Sequence, residues 1–288
     1  MVKITMLSHM ADDDFLTALD RHVEWEIETL DIKSGVFGKG LMGVSDEEAE
    51  RAAKEIADRA LSVHCLSSNL FFDEVEEGEA VFRKQHLPRV ERLIELAQVF
   101  RPRFVRLLAA KTARRADFTN CVGYLTTLHP WIFDLYGEAI DQVAAAGFTT
   151  AIENETYRCV FSTAEEIVAF FERLDRGDDV CFSWDAQNLW QMGTFPSLDV
   201  YRELKPWIGY YHLKGGRTAA GADELVYAST LADASWPVQN ITRELIHDGV
   251  SPVICLNPSH GHRPDGYDPF AALKENIAFL RDNFEEIE

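Results

Sequence analysis

The chain has no apolar stretch near the roughly 18 residues that a membrane helix needs. No linker rich in proline, glycine or serine divides it, and no segment is of low complexity. One domain spanning residues 1–288 is therefore expected, with no membrane partner. The opening "MVKITMLSHM" turns polar too early, at "ADDD", for a secretory signal, so a cytoplasmic protein is expected. Cysteine is sparse and unpatterned. Cys65, Cys121, Cys159, Cys181 and Cys255 are odd in number and lack Cys-x-x-Cys spacing. Three of them lie in apolar runs, so buried free thiols are expected rather than a disulfide framework.

Positive charge is also scarce. The 28 Lys and Arg against 48 Asp and Glu leave a net charge of −20. A field of that sign repels a phosphate backbone and argues against a nucleic-acid partner. It does not exclude a small anionic substrate, because a local basic pocket can override the global sign. A glycine-rich turn after the first strand is missing as well. "KITML" runs into "LSHMADDD", which disfavours a doubly wound dinucleotide-binding sheet.

What is present is a rhythm. Hydrophobic residues make up 47% of the chain, enough for a large core. Short, mostly non-alternating apolar runs begin at residues 3, 25, 61, 103, 148, 180, 208 and 252. Runs of that kind suit strands buried on both faces. Between them lie helical patterns. Ser45 with Glu48, and Ser162 with Glu165, read as capping boxes. Ala49, Ala52, Ala53, Ile56, Ala57 and Ala60 form one apolar stripe, and Ile167, Phe170, Phe171 and Leu174 another. Gly147 and Gly249 stand where left-handed helix caps are needed. Eight strand-helix units in this length predict a single-domain (β/α)8 TIM barrel.

In such a barrel the C-terminal strand ends converge on one site. Strand five ends in "AIENE", with Glu153, Asn154 and Glu155. Strand six ends in "WDAQN", with Asp185 and Asn188. Strand seven ends in "HLKGGR", with His212, Lys214 and Arg217. Strand eight runs into "LNPSHGHR", with Asn257, His260, His262 and Arg263. Two carboxylates, an imidazole and an amide from successive strands suit a divalent cation with mostly oxygen ligands, such as Mn, Mg or Co, or Zn. The glycines and cations of "KGGRT", with Arg263 beyond, suggest an anion cradle. Earlier strands offer His64, Asn69 and Arg106. Phe71, Phe72, Trp184 and Trp190 are candidates for a pocket wall.

These motifs, in this order, resemble the xylose isomerase-like barrels. That sugar isomerase/epimerase superfamily also contains a branch of abasic-site endonucleases. The resemblance implies a metal held by Glu153, Asp185 and His212, with Asn257 in the fourth place. It also implies substrate contacts from Lys214 and Arg217, and proton transfer beside a metal-stabilised enediolate. The chain departs from the pattern at strand eight, where the family carries a second glutamate and this sequence has Asn257. An amide oxygen can ligate but carries no charge and accepts no proton at neutral pH. Glu155 or His260 is then the candidate second proton carrier, beside Glu153. Asn188, His64 and Arg263 complete the expected substrate contacts, and a homo-oligomer is expected.

Two enzyme readings follow: a metal-dependent isomerase or epimerase of a sugar, sugar phosphate or sugar acid, or a metal-dependent dehydratase or lyase on a polyol or keto-sugar. Asn257 also leaves room for a non-catalytic binding barrel. The nine histidines and the charge of −20 argue against the endonuclease branch.

Overall fold

The eight apolar runs become eight parallel strands in a computed structural model that describes residues 1–287. They are β1 (Lys3–Met6), β2 (Thr29–Ile32), β3 (Ser62–Ser67), β4 (Phe104–Leu108), β5 (Thr149–Glu153), β6 (Val180–Asp185), β7 (Ile208–Leu213) and β8 (Val253–Leu256). Each strand pairs with the next in sequence, β8 returns to pair with β1, and a bridge from Leu7 to Asp31 joins β1 to β2. The sheet thus closes into a (β/α)8 barrel, and closure leaves it no long open edge. Every residue of β2, β4 and β8 is buried, which explains the missing alternation.

Ten α-helices surround it among the described residues: α1 (Phe15–Glu24), α2 (Asp46–Asp58), α3 (Glu79–Phe100), α4 (Cys121–Leu128), α5 (Trp131–Ala145), α6 (Ala164–Leu174), α7 (Ala186–Gln191), α8 (Leu198–Leu204), α9 (Val238–Asp248) and α10 (Pro269–Asn283). Two hairpins rise from the C-terminal face. One joins Ser34–Val36 to Lys39–Gly40 after β2, and the other joins Arg217–Thr218 to Leu225–Tyr227 after β7. No helix among the described residues is long and apolar enough to cross a membrane. All five cysteines are free thiols.

Local signals hold with small shifts. Ser45 and Glu48 form the expected capping box on α2, but only Ala49, Ala52 and Ile56 of its stripe are buried. Ala60 lies beyond the helix, in a left-handed turn. The second box is displaced by one residue: Thr163, not Ser162, caps α6, and its hydroxyl accepts from the Glu166 amide. The reason is tertiary. Glu166 is buried against Arg115 at 2.9 Å, and it also accepts from the amides of Ser162 and Cys121. The frame that satisfies the buried carboxylate wins. The second apolar run also shortens: residues 25–28 turn out of α1, with Glu26 left-handed, and the strand starts at Thr29. Gly147 and Gly249 are left-handed, at φ +88° and +66°, as helix exits require.

Candidate metal centre and catalytic cavity

Backbone register brings the strand-end acids together. Asp185 pairs directly with His212 across β6 and β7, and Glu153 pairs with Ser183, two residues before Asp185. Asn154 locks this step: its amide accepts from Asp185 N at 3.0 Å and donates to Asp185 O at 2.9 Å. The side chain therefore continues the β5–β6 ladder past the end of the strand. Asp185 then caps α7, accepting the Asn188 amide on Oδ1 at 2.9 Å. That bond spends one carboxylate oxygen and turns the other inward.

One ligand atom each from Glu153, Asp185 and His212 lie within 4.8 Å of one another, all buried. His212 Nδ1 faces Glu153 Oε1 at 3.1 Å and the Asn257 amide nitrogen at 3.4 Å. Its Nε2 faces Asp31 Oδ2 at 3.9 Å, and the Tyr210 hydroxyl donates to that same carboxylate oxygen at 2.9 Å. At 3.9 Å Asp31 is beyond hydrogen-bond distance, and His212 Nε2 is buried without a hydrogen bond. Asp185 Oδ2 is buried without a hydrogen bond, since Lys214 Nζ at 2.6 Å stands out of line for one. Two buried carboxylates and an imidazole converging at one point fit a divalent cation.

The cavity above these residues has a volume of about 280 Å³. Lys33, Arg106, Glu155, Lys214 and His260 line it, with Leu7, Met10, Tyr157 and Pro258 toward the mouth. Arg106 is fully buried, bonded through one guanidinium nitrogen to Glu153 Oε2 and through the other to Ser68 O. Lys214 is held by Asp185, by Asn188 Oδ1 at 3.0 Å and by His260 Nε2 at 2.9 Å. Burial alone would push the Glu153 carboxyl up, but Arg106 and His212 pull it well below the usual range. Burial would likewise strip the proton from His212, and Glu153 beside it holds that proton on. Glu155 moves the other way: burial and the Glu153 charge raise it. Lys214 and burial push His260 down to about 4.

The cavity thus gathers Glu153, Glu155, Asp185, Asn188, His212, Lys214, Asn257 and His260. Arg106, the candidate from β4, lines it too, and the remaining candidates lie elsewhere. His64 lies midway along β3, packed edge-on to Phe104 and Tyr210, because the strand ends only at Ser67. Arg217 lines a separate outer cavity of about 620 Å³ with Tyr227, His262 and Tyr267. Arg263 lines neither cavity and is exposed. The glycines of "KGGRT" offer no anion cradle. The Gly216 amide is already bonded to Ser229 Oγ, and a Cβ on Gly215 would strike the Ser229 carbonyl. Close packing, not ligand access, requires them. Trp184, Trp190 and Phe71 are core residues, and none of them, nor Phe72, lines the cavity. Tyr157 is the aromatic residue that does. Asp31 and Lys33 are further site residues that the strand-end reading passed over. Their signal was present: a carboxylate inside the apolar run "WEIETLDI" and a lysine just past its end.

A closed (β/α)8 barrel with a Glu–Asp–His triplet buried at its C-terminal mouth defines a class, and solved structures agree on the fold. No family model matches the sequence, and no curated protein is similar to it. The chain has the fold of the xylose isomerase-like TIM barrels. A probable 3-DHS dehydratase from Bacillus anthracis is 17% identical with a TM-score of 0.72, over 97% of this chain and 98% of that one. A xylose isomerase-like TIM barrel protein from Mycobacterium smegmatis, in complex with magnesium, is 16% identical with a TM-score of 0.67, over 98% and 95%. A 3-keto-D-glucoside 4-epimerase from E. coli is 13% identical with a TM-score of 0.70, over 97% and 98%.

Proposed function

We propose that the chain is a divalent-metal-dependent isomerase or epimerase of a small carbohydrate, moving a proton at a carbon next to a carbonyl. The observation that carries this reading is the convergence of Glu153, Asp185 and His212 within 4.8 Å at the barrel mouth. These residues, with the Asn257 amide oxygen, would hold the cation. When bound, the cation supplies Lewis-acid polarisation of substrate oxygens. The magnesium and epimerase neighbours of the same fold support the assignment.

The other residues divide the remaining work. Glu155 lines the cavity with a carboxyl raised by burial and by the Glu153 charge, which suits it to take and return a proton. Arg106 fixes Glu153 and keeps it ionised. Lys214, held by Asp185, Asn188 and His260, brings an ammonium to the cavity wall, where it would meet the substrate. His260 is neutral at pH 7 and serves Lys214 as an acceptor instead of titrating itself. Leu7, Met10 and Pro258 add apolar surface to the cavity wall.

A dehydratase or lyase is the second reading, favoured by Asn257. Without a second carboxylate on β8, Glu155 is the one raised acid in the cavity, and an elimination needs a single base. The test has two stages. Metal content is measured for the protein purified without chelator and for Asp185→Ala; a stoichiometric ion lost in the variant is expected. Ketoses, polyols and keto-acids are then screened by mass. A product of equal mass supports isomerisation, loss of water supports the second reading, and no metal under any loading sinks both.

A further inference from the structure

Beside the metal cavity lies a second one of about 330 Å³, between the ends of β2 and β3 and the turn that follows the β2 hairpin. Lys33 stands in the wall between the two and lines both. The second cavity is lined further by Arg89, Ser34, Asn69 and the turn at residues 40–43, and by no acid. In a chain of net charge −20 this is a local inversion of sign. Among the described residues, neither Lys33 nor Arg89 has an ion-pair partner, and the side chains of Ser34 and Asn69 make no hydrogen bond. Lys33 is half-buried, and burial and the nearby Arg106 guanidinium both lower its affinity for its proton. Glu153, Glu155 and Asp31 act on it from the metal-cavity side, but on the side of the second cavity it faces no acid.

The metal cavity is short of negative charge in the same direction. Lys33, Arg106 and Lys214 line it together with Glu153, Glu155 and Asp185. Three carboxylates balance three cations, so a divalent ion leaves the site positive. Asn257, where a carboxylate would have offset part of it, adds no charge.

We propose that the substrate carries an anionic group, a carboxylate or a phosphate, that seats between Lys33 and Arg89 while its reacting carbons lie in the metal cavity. This rests on the reading of the site as a metal-dependent carbohydrate enzyme and names its substrate class. Charge-assisted bonds from the lysine and the arginine fork hold the anion, and Ser34 and Asn69 complete its shell. The anion site is thus on the β2–β3 side of the mouth, opposite the "KGGRT" loop.

The experiment is calorimetric titration of the Mn²⁺-treated protein with sorbitol, gluconate and sorbitol 6-phosphate, which share a carbon skeleton. At least one anion is expected to bind about tenfold or more tightly than sorbitol. Gluconate as the tighter ligand marks a carboxylate site, and the phosphate ester a phosphate site. Lys33→Met and Arg89→Met should each remove most of the preference; Arg89 is exposed, so its variant guards against a misfolded Lys33→Met. Equal binding of sorbitol, no binding of either anion at millimolar concentration, or a preference that survives both substitutions overturns the proposal. The same titrations without metal separate the two readings. An anion preference in a protein that binds no Mn²⁺ sinks the metal enzyme and keeps the subsite, and Mn²⁺ binding without preference does the reverse.

Discussion

Asn257 is the residue at which the proposed cation site is most directly tested. Its amide nitrogen faces His212 Nδ1 at 3.4 Å, and the proposed reading makes its oxygen the fourth ligand. Cation affinity follows the charge of the ligand set. Asn257→Glu should therefore tighten Mn²⁺ binding by about tenfold or more, read by direct titration, and unchanged affinity would show that position 257 does not ligate. Arg106 is the complementary case. Its guanidinium is fully buried on Glu153, so Arg106→Met strands a carboxylate in the barrel. Breaking one side of a buried pair costs about 3 kcal/mol or more, measurable as a lower urea midpoint. Arg106→Met with Glu153→Gln should recover part of that loss, and no recovery would mean that the arginine stabilises by packing alone.

At the scale of elements, capping chemistry and close approach decide. Ser45 satisfies the α2 amides from an exposed position, so Ser45→Ala should cost about 1 kcal/mol in denaturant unfolding. Gly215 permits β7 to run against the carbonyls of Ser229 and Thr230. Gly215→Ala should destabilise by about 1–3 kcal/mol, because backbone, unlike a side chain, cannot swing aside. A neutral result would show that the hairpin after β7 shifts freely. The helix starts show what local sequence can and cannot carry. Ser45 with Glu48 is legible because the two partners are three residues apart and answer to each other at the surface. The α6 start is misread by one residue because Glu166 answers to Arg115, 51 residues away.

For the whole molecule, buried neutral histidines set the acid limit. Burial lowers His22 to about 4, His64 to about 3 and His86 to about 4. The unfolded chain takes up these protons near pH 6.5, while the native state refuses them until far lower. Their contribution is therefore complete above about pH 6.5 and is lost as pH falls toward 4, at about 1.4 kcal/mol per unit for each. The thermal midpoint should drop across that window, and His22→Gln, remote from the cavity, should flatten the drop. A parallel decline in the variant would mean that other groups govern acid unfolding.

The barrel itself was legible along the chain. Eight doubly buried strands leave an unbroken apolar signature, and strand ends in a closed parallel barrel have one place to meet. Glu153, Asp185, His212 and Asn257 could be placed together on that ground. What lay beyond the sequence was the set of partners. That Arg106 takes Glu153, that Asp31 stands behind His212, that Lys33 parts two cavities and that Arg217 faces away from both depends on strand register and loop packing over scores of residues. Periodicity and capping act over a turn or two of chain, whereas the charge balance of a cavity is settled only when distant strand ends are closed against one another.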